Sequence, residues 1–303
     1  MIEGSKAVLC FGEMLWDSLP QGLFPGGAPM NVAYHLRRHG LNAMPVSAVG
    51  RDLLGAELLR RLRSWGVDTR LVGVLRKKAT GTVEVELDKA GKPKFTIVQK
   101  VAWDEIPNQK QTLKWASRSA ALVFGSLAQR SANNRLLLAM LLKAAPQAWK
   151  IFDVNLRPPF VEAKIIWGLA AKATLIKLND EELGVLLGRK LIVAELEKAA
   201  REFSRKTSCD NICVTAGGEG AGLLLHGQWH WEPARKIKVK DTVGAGDAFL
   251  SSLIYHLIFR AQRPEYALRR ASRLAEYIAS RDGATPAYEI SDEGDISAAA
   301  RMQ

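Results

Sequence analysis

No apolar run in this chain approaches the ~18–20 residues of a membrane-spanning helix, so a helical membrane protein is not expected. Cysteine is scarce: Cys10, Cys209 and Cys213 are the whole complement. Cys10 sits in an apolar run, and Cys209 and Cys213 have no second Cys or His pair nearby. Neither a disulfide framework nor a zinc site follows from them, and buried free thiols are the expectation. Met1 to Lys6 lead into a short apolar stretch broken by Gly12 and Glu13, unlike a secretory signal. A cytoplasmic location is therefore expected. Acidic residues are also in short supply, 31 against 43 Lys and Arg, for a net charge of +12. Such a charge suits nucleic acid, a membrane surface or an anionic small molecule. The basic residues are spread out, however, with short clusters only at Arg76-Lys77-Lys78 and from Arg235 to Lys240. There is no basic tail, zinc finger or RNA-binding aromatic signature, so neither a nucleic-acid nor a membrane partner is expected. Both the Walker Gly-x-x-x-x-Gly-Lys-Ser/Thr loop and the protein-kinase His-Arg-Asp loop are missing.

What is present is ordinary globular chemistry, 48% apolar and 24% charged over 303 residues. No repeat, low-complexity linker or second domain boundary is visible, and a single domain over 1–303 is expected. Ala7–Phe11, Pro45–Gly50, Ala121–Phe124, Lys150–Val154, Ala173–Leu178 and Asn211–Thr215 read as buried strands with helical stretches between them. Repeated βα units imply a doubly wound, mostly parallel sheet with helices on both faces. The helix from about Asp52 to Trp65 should turn Leu53, Leu54, Leu58, Leu59 and Leu62 inward. His226 and His230 read as the ends of a hairpin. A last helix runs from Pro264 to Ser280, and the final dozen residues are expected to fray. Between the α/β units, Thr69–Leu75, Gly81–Asp88 and Pro93–Gln99 read as three strands, the last two joined by a turn at Lys89-Ala90-Gly91-Lys92. They predict a small β-sheet lid, built from roughly 13–24 and 69–103, that excludes water from a site.

Ligands of such sheets bind beyond the carboxyl ends of the strands. Three of those ends carry polar sets: Asp153, Asn155 and Arg157; Lys177, Asn179 and Glu182; and Thr215 to Gly220. Near the start, Asp17 follows the first strand on the face opposite Trp16, and Gly26-Gly27-Ala28-Pro29-Met30-Asn31 marks a helix start. Asp17 and Asn31 either hold ring hydroxyls in a pocket or serve helix-start chemistry. The most informative stretch is Lys240-Asp241-Thr242-Val243-Gly244-Ala245-Gly246-Asp247-Ala248-Phe249. Lys236–Val239 before it alternates like a strand or a strand exit. Leu250, Leu253, Ile254, Leu257 and Ile258 after it have helical spacing. Gly244 and Gly246 thus open a helix whose first amides lack partners and suit an anion. Asp247 in that first turn is either a helix-stabilising acid or a base facing a hydroxyl that attacks a phosphoryl group.

Together these segments resemble the ribokinase-like carbohydrate kinases, the pfkB family, over almost the whole chain. Gly26 to Ala33 matches the family's amino-terminal motif. Asn179-Asp180-Glu181-Glu182 matches its N-x-x-E element, and Asp241 to Phe249 matches its D-T-x-G-A-G-D-x-F motif in full. The resemblance implies Asp247 as base, with the amides of Gly244, Ala245 and Gly246 as anion hole. It implies Asp17, Gly27 and Asn31 as sugar ligands and Arg157 near the phosphates or the phosphorylated end of the sugar. Asn179 and Glu182 would organise Mg²⁺ through water, and Thr215, Gly217 and Gly220 would line an ATP site. Cys10-Phe11-Gly12-Glu13, Asp153 to Pro158 and Val101-Ala102-Trp103-Asp104 look most like fructokinases. Other family substrates are 2-keto-3-deoxygluconate, ribose and nucleosides. Some members hold K⁺ on backbone carbonyls near the positions of Asp241, Val243 and Gly283-Ala284. A homodimer through the lid is a further expectation.

Overall fold

The computed structural model describes residues 7–19, 22–87, 93–291 and 295–299. In chain order its strands are β1 (Val8–Phe11), β2 (Leu15–Leu19), β3 (Gly22–Gly26), β4 (Ala43–Gly50), β5 (Val72–Leu75), β6 (Gly81–Leu87), β7 (Pro93–Ile97) and β8 (Ala121–Gly125). They continue as β9 (Trp149–Asp153), β10 (Leu175–Asn179), β11 (Ile212–Thr215), β12 (Gly220–Leu225), β13 (Gln228–Pro233), β14 (Tyr288–Ile290) and β15 (Ile296–Ala298). The helices are α1 (Ala28–Arg38), α2 (Leu53–Ser64), α3 (Lys110–Ala116), α4 (Ala132–Ala144), α5 (Ala163–Ala170), α6 (Asp180–Leu187), α7 (Leu196–Thr207), α8 (Ala245–Ile254) and α9 (Pro264–Ala279).

Nine strands form the central sheet in the order β13-β12-β11-β10-β9-β8-β1-β4-β5. Pairing is parallel from β5 to β11 and antiparallel through β12 and β13. The inner strands are apolar throughout because both faces are covered. Val8 and Cys10 of β1 point into a core shared with α1, α2, α8 and α9, and Leu9 and Phe11 point into one shared with α4, α5 and α7. This is the doubly wound arrangement. The chain leaves β1 toward β4 and β5, then returns to β8 on the other side of β1. The crevice beyond β1 and β8 is thus a topological switch point, where open α/β sheets bind ligands.

A separate four-stranded sheet, in the order β3-β2-β6-β7, stands beside it. Trp16 on β2 is buried and donates to Leu54 O at 3.0 Å, while Asp17 takes the other face of the strand. Thr69–Leu75 does not belong to this small sheet: Val72–Leu75 pairs with β4 as the edge of the central sheet. Its alternation is that of an edge strand, a pattern shared by both kinds of sheet. The turn at Lys89-Ala90-Gly91-Lys92 lies outside the described residues. Other local readings also change. Leu53 is 89% exposed, because it is the first residue of α2 and precedes the turn that meets the core. Lys236–Val239 is exposed and irregular, with no partner strand, and Arg235 before it is tied to Glu276 at 2.7 Å. Instead of fraying, Ile296–Ala298 pairs antiparallel with Tyr288–Ile290. His226 with φ 47 and Gly227 with φ 79 make the turn between β12 and β13, while His230 lies within β13. The three cysteines are free and buried. Among the described residues no helix is long and apolar enough to cross a membrane.

Candidate active site

α8 starts where the sequence has no side chain to obstruct it. Gly244 is its N-cap at φ 76, a left-handed conformation open to glycine, and a Cβ there would lie 2.5 Å from the Cβ of Ala284. Of the three amides expected in the anion hole, that of Ala245 donates to Thr242 O at 3.2 Å. The amides of Gly246 and Asp247 have no backbone acceptor among the described residues. They carry the positive end of the helix dipole into the crevice.

Asp247 is buried in this first turn, and its Oδ2 accepts from Asn31 Nδ2 at 2.8 Å. Asn31 sits in the first turn of α1, which opens with Pro29 after the N-cap Gly27. A Cβ at Gly27, where φ is 108, would meet Glu13 O at 2.4 Å, so the close approach of these segments requires glycine. The bond from Asn31 ties helices from the two ends of the chain. Burial raises the Asp247 carboxyl to about 7, and the Asp153 charge adds to the rise. The Asn31 hydrogen bond, Lys177 and Arg157 pull the other way. Asp17 on β2 is raised to about 6, first by burial and further by Asp241, against the pull of Arg157. The Arg157 side chain is itself exposed and donates to Leu156 O at 3.1 Å.

Sequence reasoning met Glu13 only within the segment Cys10-Phe11-Gly12-Glu13 and gave it no role in the site. It is 4% exposed just beyond β1, its Oε2 has no hydrogen-bond partner among the described residues, and burial raises its pKa. Arg157 and Asp153 both act on its charge, which places it with the other pocket residues. A lone Glu after a strand has no spacing that would mark it. Asn31 Oδ1 and Asp153 Oδ2 are likewise buried without partners.

Asn179 and Glu182 form a capping box on α6: Asn179 Oδ1 accepts from Glu182 N at 2.6 Å, and Glu182 Oε2 accepts from Asn179 N at 2.9 Å. Glu182 Oε1 accepts from Leu156 N at 2.7 Å, which fixes the loop that carries Arg157. Both Glu182 oxygens therefore already hold amides, and their remaining lone pairs suit an ion reached through water. Among the described residues no three His, Cys, Asp or Glu side chains group as a metal centre. Thr215 lies beside Asn179 across the β10–β11 register. Gly217 is exposed in the turn that follows, whereas a Cβ at Gly220 would meet Glu232 O at 2.4 Å. Gly220 is thus needed by the β12–β13 packing. Asp241 Oδ2 accepts from Gly283 N at 3.1 Å, and Ala284 packs on Gly244, so the segments expected around a monovalent cation do meet.

A doubly wound sheet whose switch point carries a helix N-terminus with a buried carboxylate in its first turn is an arrangement suited to phosphoryl transfer. Residues 21–290 match the pfkB family carbohydrate kinases. The chain is 30% identical over 255 residues to a fructokinase of Klebsiella pneumoniae, covering 80% of this chain and 81% of that protein. It is 29% identical to the aminoimidazole riboside kinase of Salmonella typhimurium, covering 90% and 84% respectively. The solved fructokinase of Xylella fastidiosa with bound ATP shares the fold at a TM-score of 0.78 and 24% identity, covering 93% of this chain and 94% of that one. The chain belongs to the pfkB family of carbohydrate kinases.

Proposed function

We propose that this protein transfers the γ-phosphoryl group of ATP to a hydroxyl of a neutral sugar, with fructose as the first choice. The observation that carries the substrate class is the set of buried acceptors without partners. Asn31 is hydrogen-bonded to Asp247, and Glu13 shares with Asp247 the influence of Asp153 and Arg157; Asn31 Oδ1 and Glu13 Oε2 each lack a donor among the described residues. A buried acceptor left unpaired costs about 1–3 kcal/mol, and a polyhydroxy ligand brings the missing donors. A sugar acid would instead bring a further anion toward Glu13, Asp17 and Asp247, whose burial already works against their charge. That argues against 2-keto-3-deoxygluconate.

Asp247 in its ionised form takes the proton of the attacking hydroxyl through Oδ1, while Asn31 fixes Oδ2. The Gly246 and Asp247 amides hold charge on the transferring phosphoryl oxygens, and Gly244 sets the direction of the helix that presents them. Asp17 and Gly27 border the sugar, and Thr215 and Gly217 border the nucleotide. Glu182 would hold Mg²⁺ through water, and the ion would supply charge neutralisation on the phosphates. The small sheet β3-β2-β6-β7 serves as the lid that keeps water out, and a cytoplasmic location suits these substrates.

A coupled ADP-release assay with Mg-ATP tests this reading against fructose, ribose, 2-keto-3-deoxygluconate, tagatose, glucose and adenosine, each with and without K⁺. Turnover on fructose and silence on the sugar acid is the expected result. Turnover on 2-keto-3-deoxygluconate alone would overturn the argument from the unpaired acceptors and leave the kinase chemistry in place.

A further inference from the structure

Lys177 is the most charged-looking residue in an otherwise apolar strand, Leu175-Ile176-Lys177-Leu178-Asn179. Strand alternation turns it and Asn179 to one face. It stands directly opposite Asp153 in the parallel β9–β10 register, and its Nζ donates to Asp153 Oδ1 at 3.1 Å. The residue is only 7% exposed. An ammonium has three N–H donors, and this one has a single acceptor among the described residues. Two donors are therefore left over, on an Nζ that lies 3.1 Å from where a Cβ of Gly246 would be. The ammonium thus rests on the first turn of α8, beside the open amides. A Cβ at Gly246 would have to shift this ammonium by a few tenths of an ångström.

We infer that Lys177 is a catalytic residue whose ammonium donates a hydrogen bond to an oxygen of the phosphoryl group in flight, completing the anion hole beside the helix amides. Asp153 is its positioning residue. The inference rests on the kinase reading above. In the step itself the sugar oxygen forms a bond to Pγ as the bond from Pγ to the β-phosphate oxygen breaks. ADP leaves with that electron pair, the hydroxyl proton goes to Asp247, and Lys177 keeps its proton throughout.

The test compares wild type with Lys177→Met in turnover, sugar binding, and affinity for ADP plus sugar with and without aluminium fluoride, a mimic of the transferring phosphoryl group. The kinase reading is tested by wild-type turnover on the sugar panel, and the comparison uses whichever sugar turns over. Loss of one anion-hole donor predicts a fall in kcat of roughly 10²–10³-fold. Sugar affinity should stay within about threefold, and the tightening given by aluminium fluoride should shrink by a factor similar to that in kcat. A kcat near that of wild type, or a lower kcat with the fluoride effect intact, overturns the role. Should Lys177→Met fail to fold, the lysine side-chain nitrogen resonances of wild type carry the same question. The buried Nζ should shift on adding Mg-ADP with aluminium fluoride and stay put with sugar alone; no shift with the fluoride complex overturns the proposal.

Discussion

Asp247 joins two demands that conflict elsewhere in proteins: it must be buried enough to exclude water and still able to ionise. Asn31, Lys177 and Arg157 favour the charged form, while burial and Asp153 oppose it. Asp247→Asn should therefore lower kcat at least ~10²-fold with sugar binding retained, as equilibrium binding of fructose beside steady-state turnover would show. In wild type, kcat/KM for the sugar should rise with pH along an acid limb near pH 7, because the carboxyl titrates at about 7 and only its ionised form accepts the proton. The glycines and Asp247 were legible in the sequence because they form one contiguous string at a helix start. Glu13 was not, because what distinguishes it is an unpaired oxygen, and that exists only once the chain has folded around it.

Elements, more than single side chains, hold the start of α8, the proposed anion hole, in place. The Gly283-Ala284 turn buttresses Gly244, and His35 on α1 holds that turn, with Nε2 at 3.0 Å from Ala284 O and Nδ1 at 2.8 Å from Tyr288 Oη. Burial lowers the His35 pKa to about 3, so the ring is neutral, donating to the carbonyl and accepting from the tyrosine. His35→Leu leaves both partners unsatisfied, and denaturant unfolding should show a loss of roughly 1–3 kcal/mol. The KM for ATP should rise in the same variant as the turn slackens. Sequence reading assigned His35 no partner, since Ala284 and Tyr288 come from the far end of the chain. The N-x-x-E element, by contrast, was visible as a pattern, and the structure shows its physical basis in a reciprocal capping box. Thr69–Leu75 was assigned to the wrong sheet for a related reason: local alternation specifies a half-covered strand and leaves its neighbour unnamed.

For the molecule as a whole, the site detracts from stability. Asp247 has a folded pKa of about 7 against roughly 3.9 for an unperturbed Asp. Between those values the folded state binds more protons than the unfolded one, so this group favours folding at low pH and opposes it as pH rises through about 7. Asp247→Asn should melt higher than wild type at pH 8, with the gain shrinking toward pH 4; calorimetry across that range checks the sign. The overall layout was readable from the βα rhythm because buried parallel strands are continuous apolar runs, whereas contacts between the chain's ends left no local trace. The hydrogen bond from Asn31 to Asp247 spans 216 residues. Contacts of such separation close late, since a long loop must be ordered before they form. Recovery of phosphotransfer during refolding should thus lag behind recovery of helix content, and neither half of the chain alone can hold a working base.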